Sequence, residues 1–323
     1  MAALTRRALA GGLVGLAVTS ARAAAEWPAR TITIIHGFPP GGPSDVVARI
    51  IADGLSKTLG QSVIVEARPG ASGTTAAAQV ARAAPDGYTL MVIPSGHPAT
   101  AATFAKLPYR AVADFTMITI ASTYPYVMSV PSATGIKTVA ELVDLGRTRA
   151  TPLIYGTPGA GSGPHLAIEL LALQTKIKVQ HIPFRGSAPA VTELVAGRLD
   201  FMMDPPATMM PFIRDGRLRA LAVSSARRYF ALPDVPTLAE AGVAGFDVTG
   251  WQGLIAPAGL PGSIVSRLNS EVRRILAAPA TIERLHAFGN EPSPCSPDEF
   301  KTRIESEIAK WAAVVDRIHF QKI

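Results

Sequence analysis

The chain has 323 residues, of which 48% are hydrophobic and 17% charged, so it is long enough to bury large apolar cores in two domains. Its formal charge is +7 at pH 7, and only +4 is left without Arg6, Arg7 and Arg22 near the N-terminus. A charge this small and scattered gives no support to nucleic-acid binding, which would need a clustered basic face. The single cysteine, Cys295, excludes an internal disulfide and a cysteine-cluster metal site.

The first 25 residues have the pattern of an export signal. Arg6 and Arg7 precede an uncharged stretch at 8–21, and small residues at 21–25 fit two small-x-small cleavage sites. The stretch is shorter than the roughly 20 apolar residues that a membrane-spanning helix needs. We therefore expect cleavage close to Ala24, by a secretory or a twin-arginine route.

Two segments have the pattern of a strand, a glycine-rich turn and a helix. The first is an apolar strand at 31–36, the turn GFPPGGPSD at 37–45 and a helix that follows. The second is a strand at 153–155, the turn GTPGAGSGPH at 156–165 and a helix over 166–173. Such turns direct unpaired backbone N–H groups and the positive end of a helix dipole at one point, which favours a carboxylate or phosphate. Their separation along the chain indicates two lobes that hold one acidic ligand.

Short strands alternate with helices along the rest of the chain, as is typical of a parallel-sheet α/β protein. Further strands are predicted at 62–66, 88–93, 116–121, 127–130, 179–182, 201–204, 218–224 and 253–256. A C-terminal helix is predicted from the cap Ser296, with Glu299 completing a capping box. Its apolar stripe consists of Phe300, Ile304, Ile308, Trp311 and Val315. The strands at 127–130 and 218–223 are expected to cross between the lobes.

A series of short motifs follows in order along the chain: WPAR (27–30), FPPGG (38–42), RPGA (68–71), PDGYTL (85–90), DF (114–115), GAGSGPH (159–165), PFRGSAPA (183–190), LRALAV (218–223), LPDVPT (232–237) and PAG (257–259). Together with Asp45, this series resembles the Bug or TctC family. These are the periplasmic solute-binding proteins of tripartite tricarboxylate transporters. The resemblance spans nearly the whole predicted mature chain.

The resemblance implies an α/β, type II periplasmic-binding-protein fold, in which two α/β lobes joined by two crossing segments close on a ligand in the cleft between them. The expected division is a signal peptide at 1–25, lobe 1 at 26–124 and 225–323, and lobe 2 at 125–224. It implies a periplasmic monomer that binds a small carboxylate, namely a di- or tricarboxylate, an acidic amino acid or an aromatic acid. The partner implied is the membrane permease of a tripartite tricarboxylate transporter. No cofactor, metal or nucleic acid is expected.

The turns and the resemblance together predict a set of ligand-binding residues. They are Phe38, Pro39, Gly41, Gly42, Ser95, Gly96, His97, Thr157, Ser162, His165, Arg185, Gly186, Ser187 and Asp204. In the family, the first glycine turn provides backbone donors for a ligand carboxylate. The planar, always-charged side chain of Arg185 suits a second carboxylate. Asp204 could instead hold Arg185 or order a water.

Several of these residues have a structural alternative. Gly41 and Gly42 could only permit a turn with positive φ, Ser162 could only cap the following helix, and Arg185 could be solvated on its loop. Asp45, on a first helical turn, is expected to be mainly structural, although it could also receive the ammonium group of a ligand.

Two departures from the family pattern concern ligand identity. Ala67 stands where the family commonly has Asn, and SGHP at 95–98 stands near the expected cleft in place of a Ser/Thr-rich turn. The sequence therefore does not name the ligand.

Catalytic motifs are incomplete in both glycine turns. The glycines around Ser162 lack the spacing of a nucleophile elbow, and the P-loop spacing at 156–161 is not followed by the phosphate-binding lysine. Neither turn has the dinucleotide spacing. His165 and Glu169, one helical turn apart, would need a third ligand to hold a metal. The sequence therefore predicts no catalytic residue, and capture of a ligand without chemistry.

Two other functions stay open from the sequence. An exported subunit that presents its ligand to a two-component receptor would bind in the same way, and neighbouring permease or kinase genes would distinguish the two. An exported hydrolase would require turnover of an ester or amide that is lost in Ser162→Ala.

Overall fold

The computed structural model describes residues 27–323, and the predicted export signal lies outside them. This part of the chain forms eleven strands and ten α-helices. The strands are β1 (Ile32–His36), β2 (Val63–Ala67), β3 (Thr89–Pro94), β4 (Phe115–Pro125), β5 (Val127–Pro131), β6 (Leu153–Thr157), β7 (Val179–Pro183), β8 (Met202–Asp204), β9 (Leu218–Val223), β10 (Thr249–Pro257) and β11 (Glu291–Pro292). Each strand predicted from the sequence is confirmed; the short β11 was not predicted.

Up to β9 the helices connect these strands in an α/β alternation, except between β4 and β5, where no helix intervenes. They are α1 (Pro43–Leu59), α2 (Thr74–Val80), α3 (Gly96–Thr103), α4 (Val139–Thr148), α5 (Gly163–Thr175), α6 (Ser187–Val195), α7 (Pro206–Arg214), α8 (Gly262–Ala277), α9 (Pro279–Ala287) and α10 (Pro297–Arg317). The capping box of Ser296 and Glu299 is formed as predicted. No helix between residues 27 and 323 is long and apolar enough to cross a membrane.

The first sheet has six strands in the order β11-β4-β10-β3-β1-β2. β1 is parallel to β2 and β3, whereas β10 lies antiparallel between β3 and β4. Both faces are covered, because α1 and α8 pack on one and the start of α10 packs on the other. Burial on both faces explains the nearly continuous apolar runs of β1 and β3.

The second sheet is built from β8-β5-β9 and the parallel pair β6-β7. A parallel bridge between Tyr155 and Phe201 connects β6 to β8. Tyr155 and Phe201 are fully buried with apolar residues of α4 and α5. Each sheet therefore has apolar cores of its own.

The chain passes between the sheets at two places that are bonded to each other. Tyr126 separates β4 from β5, and residues 224–248 connect β9 to β10. The N–H of Tyr126 donates to Oγ of Ser224 at 2.8 Å, and the N–H of Ser224 donates to the carbonyl of Tyr126 at 3.0 Å. The strands expected to cross, 127–130 and 218–223, instead lie within the second sheet, because β5 is fully paired with β8 and β9.

Two segments that follow β9 pack against the second sheet. Tyr229 lies in one apolar cluster with Val127 and Met209, and the N–H of Val223 donates to the carbonyl of Pro236. The last turns of α10, through Trp311, pack in the cluster of the second sheet. Helix α10 therefore contributes to the cores of both sheets. The division of the chain at residues 124 and 225 stays a prediction.

Candidate ligand site between the two sheets

The loops that carry the predicted site follow the carboxyl ends of parallel strands in both sheets. β1 and β3 end at one edge of the first sheet, and β6 and β7 end at one edge of the second. Tyr126 connects the two edges. Its hydroxyl lies 3.4 Å from Oγ of Ser95, directly after β3, and a Cβ at Gly163, the first residue of α5, would collide with it. Ligand sites of open α/β sheets lie at such edges.

The first glycine turn is held together by Asp45. The N–H of Gly41 donates to Asp45 at 2.9 Å, Nε of Arg49 donates at 3.0 Å, and Nε2 of His36 lies 3.1 Å from the same carboxylate. Burial raises the pKa of Asp45, but the hydrogen bonds from Arg49 and Gly41 outweigh it and keep the pKa below its usual value. Asp45 is structural, as predicted. It also occupies the N–H of Gly41, one of the predicted ligand donors.

The fold of this turn does not require a glycine at position 42. The φ of Gly42, −80°, suits any residue, and a Cβ would meet only the carbonyl of Pro39 at 3.6 Å. Within residues 27–323 the N–H groups of Gly42 and Ser44 have no acceptor. Two donors at the start of α1 are therefore free for an anion.

Phe38 lies against a strained turn in the first sheet. Its ring approaches Gly73, the last of four consecutive residues with positive φ, and Ala71 and Ser72 are non-glycine residues among them. Backbone strain of this kind clusters at ligand clamps. Phe38, Ser72 and His97 contribute to the lining of a cavity of about 10 Å³, enough for one water.

His97 is turned into the core. Its Nε2 lies 3.0 Å from the carbonyl of Ala111, and its ring stacks on Tyr109 with centroids 5.6 Å apart. Burial lowers the pKa of His97 to about 4, so the ring is neutral at pH 7. Ser95 and Gly96 lie before it at the start of α3, where a Cβ at Gly96 would meet nothing. The His97 ring is therefore already held by contacts within the core.

The side chains of the second glycine turn are bonded within the turn. Oγ of Ser162 caps α5 by accepting from the N–H of His165, and it donates to the carbonyl of Gly159 at 2.7 Å. Thr157 donates to the same carbonyl at 3.1 Å, and the N–H of Gly161 donates to Nδ1 of His165 at 3.0 Å. The structural alternative for Ser162 is therefore present in the fold.

Two stacked histidines, His165 and His181, contact the second glycine turn. Nε2 of His181 lies 2.6 Å from Oγ1 of Thr157, and the hydroxyl of Tyr155 donates to Glu169 at 2.5 Å. Burial, with the neighbouring His181, lowers the pKa of His165 to about 3, and burial lowers that of His181 to about 4. Nε2 of His165 is 3.8 Å from Glu169. Across residues 27–323, no three His, Cys, Asp or Glu side chains are grouped to hold a metal.

The loop after β7 is bonded to the second turn and exposes a guanidinium. The N–H of Gly186, at φ 110°, donates to the carbonyl of Pro158 at 3.1 Å. Arg185 is exposed, and its side chain has no hydrogen bond or ion pair to any residue from 27 to 323. Its charge is therefore available to a ligand or to solvent.

Asp204 lies at the inner end of the site and is fully buried. It ends β8, whose parallel bridge to β6 places it at the same edge as Thr157. Oγ1 of Thr208 donates to Oδ2 at 2.6 Å, whereas Oδ1 has no partner within the described residues. Burial raises the pKa of Asp204 to about 6, although Thr208 and the Ser187 hydroxyl lower it.

Sequence reasoning missed the tyrosines and the glutamine at the junction. Tyr124 precedes the first crossing, its hydroxyl interacts with Gln252 and Ser95, and burial raises its pKa to about 12. Oε1 of Gln252 accepts from Oγ of Ser44 at 2.9 Å. The sequence YPY at 124–126, two tyrosines between apolar strands, was the available signal for Tyr124 and Tyr126.

Two sheets, each with helix starts at one edge, joined by two crossings, define a two-lobed periplasmic binding fold. Residues 47–320 match the model of the tripartite tricarboxylate transporter family receptor, TctC. The chain is 33% identical to protein BugT of Bordetella pertussis over 94% of this chain and 95% of that protein. It is similar to Rpa4515 of R. palustris, solved with adipate, at 35% identity and a TM-score of 0.82, covering 90% of this chain and 98% of the other.

A further similar structure is MatC of Rhodopseudomonas palustris, solved with bound malate. The identity is 36% and the TM-score 0.79, over 90% of this chain and all of the other. The chain belongs to the Bug/TctC family of periplasmic solute-binding receptors. The family resemblance and the fold class predicted from the sequence are confirmed.

Proposed function

We propose that the protein captures a small carboxylate in the periplasm by closure of its two lobes and delivers it to the membrane permease of a tripartite tricarboxylate transporter. The observation that carries this proposal is the meeting of both sheet edges at Tyr126, between Ser95 of one and Gly163 of the other. A ligand placed there can reach helix N-termini from both sheets only when the lobes are together.

The donors left free in the fold suit an anion. Gly42 and Ser44 offer backbone N–H groups at the start of α1, and Arg185 offers an unpaired guanidinium from the second sheet. The adipate and malate seen in two similar proteins are dicarboxylates. They support a ligand with two negative groups, one for each lobe.

A thermal-shift screen of the mature protein tests the ligand class. The panel contains mono-, di- and tricarboxylates, with neutral sugars and organic cations as controls. A ligand at about 100 times its Kd adds roughly 2.7 kcal/mol to the free energy of unfolding, which raises the Tm by several degrees. We expect at least one carboxylate to do so. A response to sugars or cations alone would contradict the proposal.

Export and delivery need separate measurements. Intact mass of the protein from the periplasmic fraction should show an N-terminus within a few residues of Ala24; full-length mass in the cytoplasmic fraction would contradict export. Uptake of the labelled ligand should require both this protein and the permease genes. Uptake that persists without the permease, alongside a kinase response to ligand, would favour the sensor alternative.

A further inference from the structure

Asp204 presents an electrostatic conflict at the inner end of the proposed anion site. Its carboxylate is fully buried, and only one of its two oxygens has a hydrogen-bond donor. Leaving a buried charged oxygen without a partner is unfavourable, and an ionised carboxylate would also repel a carboxylate ligand. A buried carboxylate of this kind is normally stabilised by a proton, or by a hydrogen bond from a water or a ligand.

The contrast with Asp45 shows that the fold is able to satisfy a buried carboxylate. Asp45 is also buried, yet it interacts with Gly41, Arg49 and His36 through both oxygens. Around Asp204, in contrast, no Arg, Lys or His of residues 27–323 supplies a charge. The missing hydrogen bond on Oδ1 is therefore a feature of the surroundings of Asp204 and not of buried carboxylates throughout this fold.

The polar groups that interact with Asp204 come from α6, α7 and the first crossing, and they are uncharged at pH 7. Thr208 of α7 donates to Oδ2, and the hydroxyl of Ser187, at the start of α6, also lowers the pKa of the carboxyl but makes no hydrogen bond to Oδ1. From the crossing, the phenols of Tyr124 and Tyr126 are affected by the charge of Asp204, and burial holds both pKa values above the usual range. Both phenols also interact with Ser95, so they connect Asp204 of the second sheet with a site loop of the first.

We propose that Oδ1 of Asp204 accepts a hydrogen bond from a hydroxyl or ammonium group of the ligand, so that the protein selects hydroxy- or amino-substituted carboxylates over their unsubstituted counterparts. The inference rests on the proposed carboxylate capture and specifies its substrate class. The hydroxyl or ammonium group of the ligand gives the buried Oδ1 a hydrogen bond, and it shields the ligand carboxylates from the charge of Asp204. A plain dicarboxylate of the same length brings no donor and meets the repulsion in full.

Acidification should weaken this selection. Because burial raises the pKa of Asp204 to about 6, the group is ionised at pH 7.5 and largely protonated at pH 5. A protonated carboxyl no longer repels an unsubstituted acid. The preference for the substituted acid should therefore decrease between pH 7.5 and pH 5.

Calorimetric titration of acids with one carbon skeleton tests the inference. L-Malate, L-aspartate and succinate differ in one donor group, and L-lactate with propionate is the shorter matched pair. At pH 7.5 the wild type should bind the better of the substituted acids at least tenfold more tightly than the unsubstituted one. In Asp204→Leu, which removes the acceptor while Thr208 keeps its bond to the carbonyl of Pro205, the ratio should fall to about threefold or less.

Controls separate this inference from the function on which it rests. Asp53→Asn removes one negative charge at an exposed ion pair with Arg284 and should leave the ratio unchanged. If Asp204→Leu does not fold, the wild-type ratio and its decrease at pH 5 still decide the matter. Carboxylates that bind with no preference, or a preference that survives in Asp204→Leu, would overturn the role of Asp204 alone. Binding of no carboxylate at all would overturn the proposed function as well.

Discussion

The imidazole rings of His165 and His181 lie parallel, with centroids 3.9 Å apart and an angle of 14° between their planes. One ring accepts from the N–H of Gly161, and the other contacts Thr157. Repulsion between two buried positive charges at this distance disfavours protonation of both rings, and burial lowers the pKa of each far enough that both are neutral at pH 7. The second glycine turn therefore depends on the protonation state of residues beneath it.

His165→Phe should lower stability at pH 7.5 and less so at pH 5. The substitution leaves the buried N–H of Gly161 without an acceptor, at a cost of about 1 to 3 kcal/mol. The wild type, in turn, loses stability as the pH falls below 6.5, because the unfolded chain protonates His165 and the folded one, with a pKa of about 3, does not. That loss is about 2 kcal/mol at pH 5. Urea unfolding at both pH values measures the difference.

The exposed His286 provides the control for this ring substitution. His286→Phe should change stability by less than about 0.5 kcal/mol at pH 7.5. An equal deficit of His165→Phe at pH 7.5 and pH 5 would show that His165 titrates alike in the folded and unfolded chain.

Asp204→Asn should stabilise the unliganded protein above pH 6. The folded state raises the pKa of this group from 3.8 to about 6, so its contribution to stability is greatest below pH 3.8 and is lost as the pH rises through 6. The amide cannot ionise, and the gain at pH 7.5 is up to about 3 kcal/mol. Thermal unfolding at pH 7.5 and pH 4 should show a gain that disappears at the lower pH. Destabilisation at pH 7.5 would mean that Asp204 has a partner in the free protein.

Arg185→Ala should weaken dicarboxylates more than matched monocarboxylates. The expected loss is about 1.5 to 3 kcal/mol of binding free energy, the range for hydrogen bonds to charged groups. Arg185→Lys should recover only part, because an ammonium lacks the planar fork. The side chain is exposed and unpaired in residues 27–323, so unfolding should change by less than about 0.5 kcal/mol. Equal losses of affinity for both acids in calorimetric titration would mean that Arg185 is solvated and does not contact the ligand.

Gly42→Val and Gly163→Val should separate binding from folding. A Cβ at Gly42 has room, so this variant should lose no more than about 1 kcal/mol of stability, the cost of Val at a helix N-cap, yet bind every ligand more weakly, since it blocks approach to the free N–H groups. A Cβ at Gly163 collides with the Tyr126 hydroxyl, so the second variant should lose stability by about 1 to 3 kcal/mol. Tm and Kd measured for both variants are the check. Unchanged affinity in Gly42→Val would place the ligand elsewhere.

The sequence predicted the strands and α10 because both depend on local patterns. Apolar runs between turn residues define β1 and β6, and Ser296 with Glu299 defines the start of α10. The two sheets followed from the family motifs. The point of crossing was misplaced because strand pairing, a contact between distant parts of the chain, decides which residues belong to β5 and β9.

The sequence predicted which loops form the candidate site, but it did not predict which residues contact each other within those loops. Nothing local distinguishes His97, which bonds to Ala111 in the core, from a histidine that faces a cleft. In the same way, His181 reaches Thr157 only because β6 and β7 are parallel neighbours. Hydrogen-bond partners within a turn are fixed by packing beneath it, which the order of residues does not show.

The position of β10 between β3 and β4 has a consequence for biogenesis. A ribosome releases β3 and β4 long before β10, so the nascent chain carries two unpaired strand edges until residue 257 has emerged. Helix α10, which both cores need, comes later still. Non-local pairing of this kind is slow to form. We therefore expect the newly made polypeptide to remain incompletely folded, and dependent on a holding chaperone, until α10 has been released.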